Sequence, residues 1–287
     1  METIQEITID EIIYRYSVLL LDAYGVLVHT SGAIPGAIEL IHDLNSTNKQ
    51  YFILTNDASK LPTTAAERYQ GYGLALEPER IISSGTLLKS YFRTNNLIGA
   101  PCLVLGPEDS MHYVELAGGR IVSCNDGFDV LVIGDETGYP FLETIDMVLS
   151  FLFHKIENKE HVHLILPNPD LIYPKDDQNF GFASGSMALM FEAALNLRYP
   201  DLSNLRFVRL GKPHSPIFTE AFKRSGSRDM VMIGDQLETD IRGANAFGID
   251  SVLITSGVSA SRMTFLAKDQ RPTYRMRSLI SRSGAGS

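Results

Sequence analysis

The sequence lacks the features on which several classes of protein depend. Cys102 and Cys124 are its only cysteines, and their spacing, with no histidine pair beside them, matches no zinc or redox motif. No apolar run reaches the length of a membrane span, and the acidic N-terminus has neither the basic region nor the apolar core of a secretory signal. We therefore expect structural cysteines, no membrane segment and a cytoplasmic location.

Positive charge is also scarce. The 287 residues contain 25 Lys and Arg against 34 Asp and Glu, which gives a formal net charge of −9 at pH 7. A chain of this charge has no general attraction for nucleic acid or for anionic lipid. Neither is therefore an expected partner, and an anionic substrate must be bound by cations that are gathered at one local site.

Short apolar runs are present instead, and each ends in small, polar or charged residues. Runs without polar alternation are typical of strands that helices cover on both faces, and helical segments lie between these runs. The pattern predicts an α/β fold with a doubly wound parallel sheet. The runs are VLLLDAYG (18–25), YFILTNDAS (51–59), RFVRLGKP (206–213) and VMIGDQLETD (231–240).

Roughly 145 residues separate the second run from the third, far more than a crossover connection needs. This middle segment has strand candidates of its own, so we expect an inserted α/β domain over residues 84–206 and a core built from residues 1–83 and 207–287. The polar tail, residues 270–287, is expected to be frayed.

One short stretch of the insert resembles a run of the core. LVIGDE (131–136) is similar to VMIGDQ (231–236), but the likeness stops there. The fifth residue after Asp235 is Asp240, whereas the fifth after Asp135 is Pro140. We therefore expect Asp135 to be a strand-end residue without a catalytic role.

The four core runs deliver polar residues to the carboxyl ends of their strands, where open parallel sheets bind ligands. A carboxylate nucleophile, hydroxyl and amide donors, a cation and further acidic groups together suit a phosphoryl group and a metal ion. These residues are Asp22, Thr55, Asn56, Lys212, Asp235 and Asp240.

The same motifs resemble those of the haloacid dehalogenase (HAD) superfamily, within the class IIA proteins that include NagD-like and pyridoxal-phosphate phosphatases. DAYGVL, ILTND, GKP and GDQLETD are similar to the four motifs of the family in order, and NPD at 168–170 is similar to the substrate loop of its cap. The resemblance covers nearly the whole chain. It implies a HAD-like Rossmannoid core with an inserted C2-type α/β cap, and a hydrolase of small phosphorylated metabolites.

The resemblance also implies roles for single residues. Asp22 would attack phosphorus and form an aspartyl-phosphate, and Lys212 would hold Asp22 and the phosphoryl oxygens together. Thr55 and the backbone amide of Asn56 would anchor the phosphate.

The cofactor implied is Mg²⁺, which prefers hard oxygen ligands. Asp22, the carbonyl of Tyr24 and Asp235 would bind it, with Asp240 in or near its second shell. Asn168, Pro169 and Asp170 would contact the substrate, and a homodimer through the cap is compatible with the class.

The resemblance fails at Tyr24. Phosphatases of the family have a second aspartate there, which protonates the leaving alkoxide and then activates water. General acid–base assistance is worth roughly 10² to 10⁴ in rate, and a phenol is a poor base at neutral pH. Tyr24 is therefore expected to weaken or redirect the phosphatase activity.

Three interpretations of Tyr24 stay open at the level of sequence. A haloacid dehalogenase needs neither a metal nor an acid there, although GDQLETD keeps the acidic metal ligands that dehalogenases generally lack. A good leaving group, or an acid from the cap, would make the aspartate dispensable. The third interpretation is a non-catalytic phosphoryl-binding protein.

Overall fold

A computed structural model describes residues 4–176, 178–202, 205–255 and 267–281. The strands are β1 (Gln5–Glu6), β2 (Val18–Asp22), β3 (Val28–His29), β4 (Gly32–Ala33), β5 (Gln50–Thr55), β6 (Ile81–Ser83), β7 (Pro101–Leu105), β8 (Arg120–Ile121), β9 (Val130–Ile133), β10 (His163–Leu166), β11 (Ile172–Pro174), β12 (Phe180–Phe182), β13 (Val208–Arg209), β14 (Met230–Gly234), β15 (Asp250–Ile254) and β16 (Tyr274–Met276). The α-helices are α1 (Ile9–Arg15), α2 (Ala37–Ser46), α3 (Pro62–Gly71), α4 (Leu88–Thr94), α5 (Glu108–Leu116), α6 (Phe141–Glu157), α7 (Ser184–Arg198), α8 (Ser215–Ser225) and α9 (Arg242–Phe247).

The chain divides into two compact units. The first contains Met1–Thr55, Pro62–Ile82 and Lys212–Ser287, and the second contains Asn56–Leu61 and Ser83–Gly211. Within the described residues, none of the helices combines the length and the apolar composition that crossing a bilayer requires.

The first unit is built on a seven-stranded sheet in the order β1-β16-β15-β14-β2-β5-β6. The pairings from β1 to β5 are all parallel. Every residue of β2 and β14 is buried, as expected for strands that helices cover on both faces. The chain moves outward from β2 in one direction and from β14 in the other. The predicted doubly wound sheet is confirmed, and its topological switch point lies between these two strands.

Two helices of the first unit have ends that local sequence signals explain. Thr8 and Glu11 form a capping box at the start of α1. Pro216 occupies the first turn of α8, and Gly226 ends that helix in the left-handed conformation with a φ of 69°. Such defined ends fix the loops that connect the helices to the strand ends.

The second unit has its own parallel sheet of five strands, in the order β13-β10-β9-β7-β8. Its apolar core includes Leu131, Ile133, Leu166 and Phe191, all buried. An antiparallel hairpin, β11 and β12, completes the unit. The expected inserted α/β domain is therefore present as a compact body.

Two expectations about strands are wrong. Residues 206–213 were expected to contribute a strand to the core sheet, but β13 pairs with β10 in the second unit. The tail was expected to be frayed from residue 270, but β16 pairs in parallel with both β15 and β1. Residues 282–287 lie outside the described part of the chain.

Candidate active site

The switch point of the first sheet places two acidic residues side by side. Asp22 is the last residue of β2, and Asp235 follows β14 directly. The two strands are adjacent, with Ile233 opposite Leu21. Because both strands run in the same direction, both carboxyl groups lie at the same edge of the sheet. This edge is where open α/β sheets bind their ligands.

Lys212 brings a cation to the same place. Its Nζ donates to Asp22 Oδ1 at 2.6 Å and to Asp240 Oδ1 at 2.7 Å. Lys212 is 2% exposed and Asp240 is completely buried. The other oxygen of Asp240, Oδ2, accepts from the backbone N–H of Gln236 at 3.2 Å. Asp240 thus orients Lys212 towards Asp22 and is itself held by the chain.

A π-helical turn, Leu237–Ile241, carries Asp240 into this position. Such turns are rare and are often found at functional sites. The turn packs Asp240 against Gly234, where the Cβ of any other residue would collide with the Asp240 carboxyl group. The glycine of GDQLETD is therefore needed for the close approach of its last aspartate.

The cluster concentrates negative charge out of contact with water. Burial and then the charge of Asp240 raise the pKa of Asp22 well above its ordinary value, although the charge of Lys212 acts in the opposite direction. Burial lowers the pKa of Lys212, but the charges of Asp22 and Asp240 outweigh this and raise it. This raised pKa favours the charged form of Lys212 between the two carboxyl groups.

The acidic residues fit a metal ion. Asp22, Asp235 and Asp240 each offer a buried carboxylate oxygen, and these oxygens lie within 4.8 Å of one another. One ammonium group cannot neutralise three carboxylates, so a divalent cation would offset the remaining charge. An all-oxygen donor set suits Mg²⁺.

The backbone after Asp22 lies against the same cluster. Gly25 has a φ of +83°, and a Cβ at this position would collide with the carboxyl group of Asp235. The backbone N–H of Gly25 donates to the carbonyl of Val28 at 2.9 Å. The loop that carries Tyr24 is therefore folded tightly, with its backbone beside Asp235.

The phosphate-anchor candidates fall in different units. Thr55 ends β5, next to β2, and Leu54 pairs with Asp22 in the register of the sheet. Asn56 belongs to the second unit, where its side chain donates to Asp170 Oδ1 at 2.9 Å.

The predicted substrate loop, Asn168–Asp170, is shaped by its own side chains. Asn168 Oδ1 accepts from the backbone N–H of Asp170 at 3.0 Å, which is the local bond that asparagine makes in turns. Gly185 lies so close to the carbonyl of Pro169 that a Cβ there would collide with it. The loop is thus ordered and is joined to Asn56 through Asp170.

Tyr24 is half-buried, and its hydroxyl accepts from Arg68 at 3.3 Å. The guanidinium of Arg68 also lies 5.9 Å from the centre of the Tyr24 ring. Arg68 could not be identified from the sequence, because it lies 44 residues from Tyr24 on α3 and belongs to no motif.

Two family models match the chain. The model for haloacid dehalogenase-like hydrolases matches residues 19–120, and a second HAD-hydrolase-like model matches residues 209–281. The first range contains Asp22 and Thr55, and the second contains Lys212 and both later aspartates. Every charged residue of the cluster therefore falls inside a matched segment.

Similar proteins have the names of phosphatases. A dihydroxyacetone phosphatase of Corynebacterium glutamicum (strain R) is 28% identical over 242 residues, 84% of this chain and 81% of that protein. The ribonucleotide monophosphatase NagD of Escherichia coli (strain K12) is 25% identical over 244 residues, 84% of this chain and 88% of that one. A crystal structure from Cytophaga hutchinsonii, described as a possible sugar phosphatase of the HAD superfamily, is 27% identical with a TM-score of 0.83. It covers 97% of this chain and 99% of its own.

Proposed function

The chain belongs to the haloacid dehalogenase superfamily of hydrolases, in its NagD-like phosphatase class, and from this we propose that it hydrolyses a small phosphate ester through a covalent phosphoryl group on Asp22. The observation that carries the proposal is the buried cluster of Asp22, Lys212, Asp235 and Asp240 at the switch point. Such a cluster is costly to bury unless it serves a bound cation and an anionic substrate.

Asp22 is held for attack on phosphorus. Its Oδ1 accepts from Lys212 at 2.6 Å and from the backbone N–H of Ala23 at 2.7 Å. Both bonds fall on the same oxygen, so Oδ2 can be directed at the substrate. In the first step Oδ2 forms a bond to phosphorus while the ester P–O bond breaks, and the leaving alkoxide takes a proton from water. In the second step water attacks phosphorus while the bond from phosphorus to Oδ2 breaks. Inorganic phosphate leaves, and the proton that the attacking water loses passes to solvent.

Lys212 and the metal ligands are proposed to offset the negative charge of the phosphoryl group. Lys212 neutralises the phosphoryl oxygens while it keeps Asp22 in place, and Thr55 donates to the phosphate. Asp22, the carbonyl of Tyr24 and Asp235 would hold Mg²⁺, with Asp240 as a neighbour that acts through Lys212. Mg²⁺ supplies Lewis-acid stabilisation of the phosphoryl group.

We propose that the catalytic core, predicted as residues 1–83 and 207–287, is the first unit, and that the cap, predicted as residues 84–206, is the second unit, which also includes β13. The first unit holds the charged cluster, and the second holds the loop at Asn168–Asp170, which is proposed to contact the organic part of the substrate. The substrate class is a small phosphorylated metabolite, such as a triose, sugar or nucleoside monophosphate.

The test is a phosphate-release assay on such esters and on p-nitrophenyl phosphate, with Mg²⁺ or with EDTA. We expect turnover only with Mg²⁺, and loss of turnover in Asp22→Asn. Halide release from 2-haloacids in EDTA would instead identify a dehalogenase. Tight binding of Mg²⁺ and phosphate without turnover on any ester would identify a binding protein, and full hydrolysis by Asp22→Asn would exclude the covalent mechanism.

Tyr24→Asp tests the weakened acid step. The variant restores the carboxylic acid of the family, so we expect a higher kcat on alkyl phosphates, whose leaving groups need a proton. The gain on p-nitrophenyl phosphate should be small, since p-nitrophenolate leaves without protonation. An unchanged kcat on alkyl phosphates would show that Tyr24 does not limit the reaction.

The second unit offers a surface for the homodimer that the family resemblance allows. Ile172 pairs with Phe182 and Pro174 with Phe180 across the hairpin of β11 and β12. Ile172, Phe180 and Phe182 are each more than half exposed. Apolar faces of this kind often mark protein interfaces. Sedimentation should show a dimer for the wild type and a monomer for Phe182→Asp. A monomeric wild type would refute the proposed homodimer.

The two cysteines bear on the cellular location. Two buried free thiols suit a reducing, cytoplasmic location.

A further inference from the structure

We propose that Arg68 is a positioning residue that anchors Tyr24 and thereby fixes the carbonyl of Tyr24 for Mg²⁺. This inference rests on the proposed function, because it concerns the same metal site. In the family the position of Tyr24 is that of a proton donor. In this chain the side chain is a tether between the loop after Asp22 and helix α3.

Four contacts of Arg68 define the side-chain end of the tether, a hydrogen bond and a ring contact with each of two tyrosines. One guanidinium nitrogen of Arg68, Nη2, donates to the Tyr24 hydroxyl, and its Nε donates to the Tyr72 hydroxyl, each at 3.3 Å. The guanidinium lies 5.7 Å from the centre of the Tyr72 ring, close to its distance from the Tyr24 ring. Within the described part of the chain, two phenols rather than a carboxylate hold this cation. Tyr24 and Tyr72 both pack against the apolar core of the first unit.

The backbone end of the tether lies at the metal ligands. Tyr24 forms a bridge with Val28, and the N–H of Val28 donates to the carbonyl of Ala23 at 2.9 Å. The next residue, Gly25, lies directly against the carboxyl group of Asp235. The peptide between Tyr24 and Gly25 is therefore confined on one side by Asp235 and on the other by the anchored phenol. This confinement limits the orientations open to the carbonyl of Tyr24, which would bind Mg²⁺.

An aspartate at position 24 could not make this contact, because its side chain is shorter than that of tyrosine and would not reach Arg68 on α3. The exchange of aspartate for tyrosine therefore has two opposite effects. It removes a carboxylic acid that could act as the general acid, and it adds a contact with Arg68 that fixes the loop whose carbonyl would bind the metal. The tether predicts tighter Mg²⁺ binding than the loop would have without it.

The experiment measures Mg²⁺ binding directly, by titration calorimetry on the full chain after removal of metals with EDTA. Tyr24→Phe keeps the ring and removes only the hydroxyl, and Arg68→Gln removes the guanidinium. Loss of one hydrogen bond of about 1 kcal/mol predicts a Kd for Mg²⁺ about fivefold higher in each variant. Arg68→Lys keeps one donor and should show a smaller increase than Arg68→Gln.

Tyr72→Phe is the matched control, since it removes the other phenol hydroxyl from the same arginine and leaves the loop after Asp22 intact. Its Kd should stay within about twofold of that of the wild type. Phosphate release from p-nitrophenyl phosphate gives a second readout: the Mg²⁺ concentration for half activity should rise in Tyr24→Phe and in Arg68→Gln.

The outcomes separate the two proposals. If the wild type binds no Mg²⁺, the proposed function fails. If the wild type binds Mg²⁺ and Tyr24→Phe and Arg68→Gln bind it equally well, only the tether is refuted. If Tyr72→Phe weakens Mg²⁺ binding as much as Tyr24→Phe does, the contacts of Arg68 with the two tyrosines stabilise α3 in general. The specific role of Tyr24 is then refuted.

Discussion

The same three residues, Ile-Gly-Asp, occur at the carboxyl ends of two strands in different units, and the two aspartates lie in different surroundings. Strand β14 leads into Ile233-Gly234-Asp235, and strand β9 leads into Ile133-Gly134-Asp135. Both strands lie inside parallel sheets, with a neighbour on either side. The local sequence is nearly the same, so any difference in role must come from the residues that surround each strand end.

The surroundings differ in charge and in burial. Asp235 is 1% exposed and lies with Asp22 and Asp240 in the acidic cluster. Asp135 is half-buried, and its Oδ1 accepts from the backbone N–H and the hydroxyl of Thr137 at 3.0 and 2.6 Å. This second arrangement is a turn that an aspartate stabilises locally. A strand-end aspartate thus becomes a metal-ligand candidate only where other strands supply further carboxylates.

The largest expected difference is in catalysis. Asp235→Asn removes one carboxylate from the proposed metal site, so kcat/KM should fall by about 10²- to 10³-fold, which corresponds to several kcal/mol of transition-state stabilisation. Asp135→Asn keeps a side-chain oxygen for Thr137 and should change kcat/KM by less than about twofold. Phosphate release by the two purified variants at equal Mg²⁺ measures both effects.

Excess Mg²⁺ provides the control for that comparison. It should partly restore Asp235→Asn, because the weakened site fills at a higher concentration of metal, and it should leave Asp135→Asn unchanged. A loss of activity in Asp135→Asn as large as in Asp235→Asn would show that the second unit contributes its own catalytic carboxylate.

The charged cluster could be predicted from the sequence because each of its members directly follows an apolar run or belongs to a motif of fixed spacing. The switch point of the sheet then explains why residues as distant as Asp22 and Asp235 meet. Their catalytic roles stay predictions, since proximity alone does not show turnover.

The errors have physical causes of their own. In RFVRLG the buried residues Phe207 and Leu210 flank a half-exposed Val208, a pattern that suits the edge of either sheet. No local signal states which sheet the strand joins. β16 is short and polar by sequence, and its order comes from pairing with β15 and β1. The contact of Arg68 with Tyr24 depends on the packing of α3, which no motif encodes.

A smaller expected difference concerns the two glycines. A Cβ at Gly234 would collide with the Asp240 carboxyl group, and one at Gly134 would lie 2.7 Å from Ser110 Cβ and Oγ. Overpacking of this kind should lower the free energy of unfolding by about 1–3 kcal/mol in both Gly234→Ala and Gly134→Ala. Urea denaturation measures this cost.

Activity should distinguish the two glycine variants. Gly234→Ala displaces Asp240, which orients Lys212, so its kcat should fall, whereas folded Gly134→Ala should keep the kcat of the wild type. Equal activity in both variants would mean that the position of Asp240 does not matter for Lys212.

The smallest expected effect is on stability as a function of pH, and it has the same sign in both units. Burial and then the charge of Asp240 raise the pKa of Asp22, and burial and then the charge of Asp135 raise the pKa of Glu136. A carboxyl group whose pKa is raised binds more protons in the folded state than in the unfolded state. The free energy of unfolding in EDTA should therefore rise as the pH falls from neutrality through these raised values, and level off at the ordinary carboxyl pKa.

Substitutions and metal separate the contributions of the two units. Asp22→Asn and Glu136→Gln should each flatten part of the pH dependence of the free energy of unfolding, Asp22→Asn more because its carboxyl group is more deeply buried. Excess Mg²⁺ favours ionised Asp22 and should remove only the part of the pH dependence that comes from Asp22. The free energy of unfolding of Asp22→Asn in EDTA should therefore change with pH as that of the wild type does in Mg²⁺. If Mg²⁺ instead abolishes the part of the pH dependence that Glu136→Gln also removes, the ion acts on the second unit. In that case the two strand ends would differ in geometry and not in metal binding.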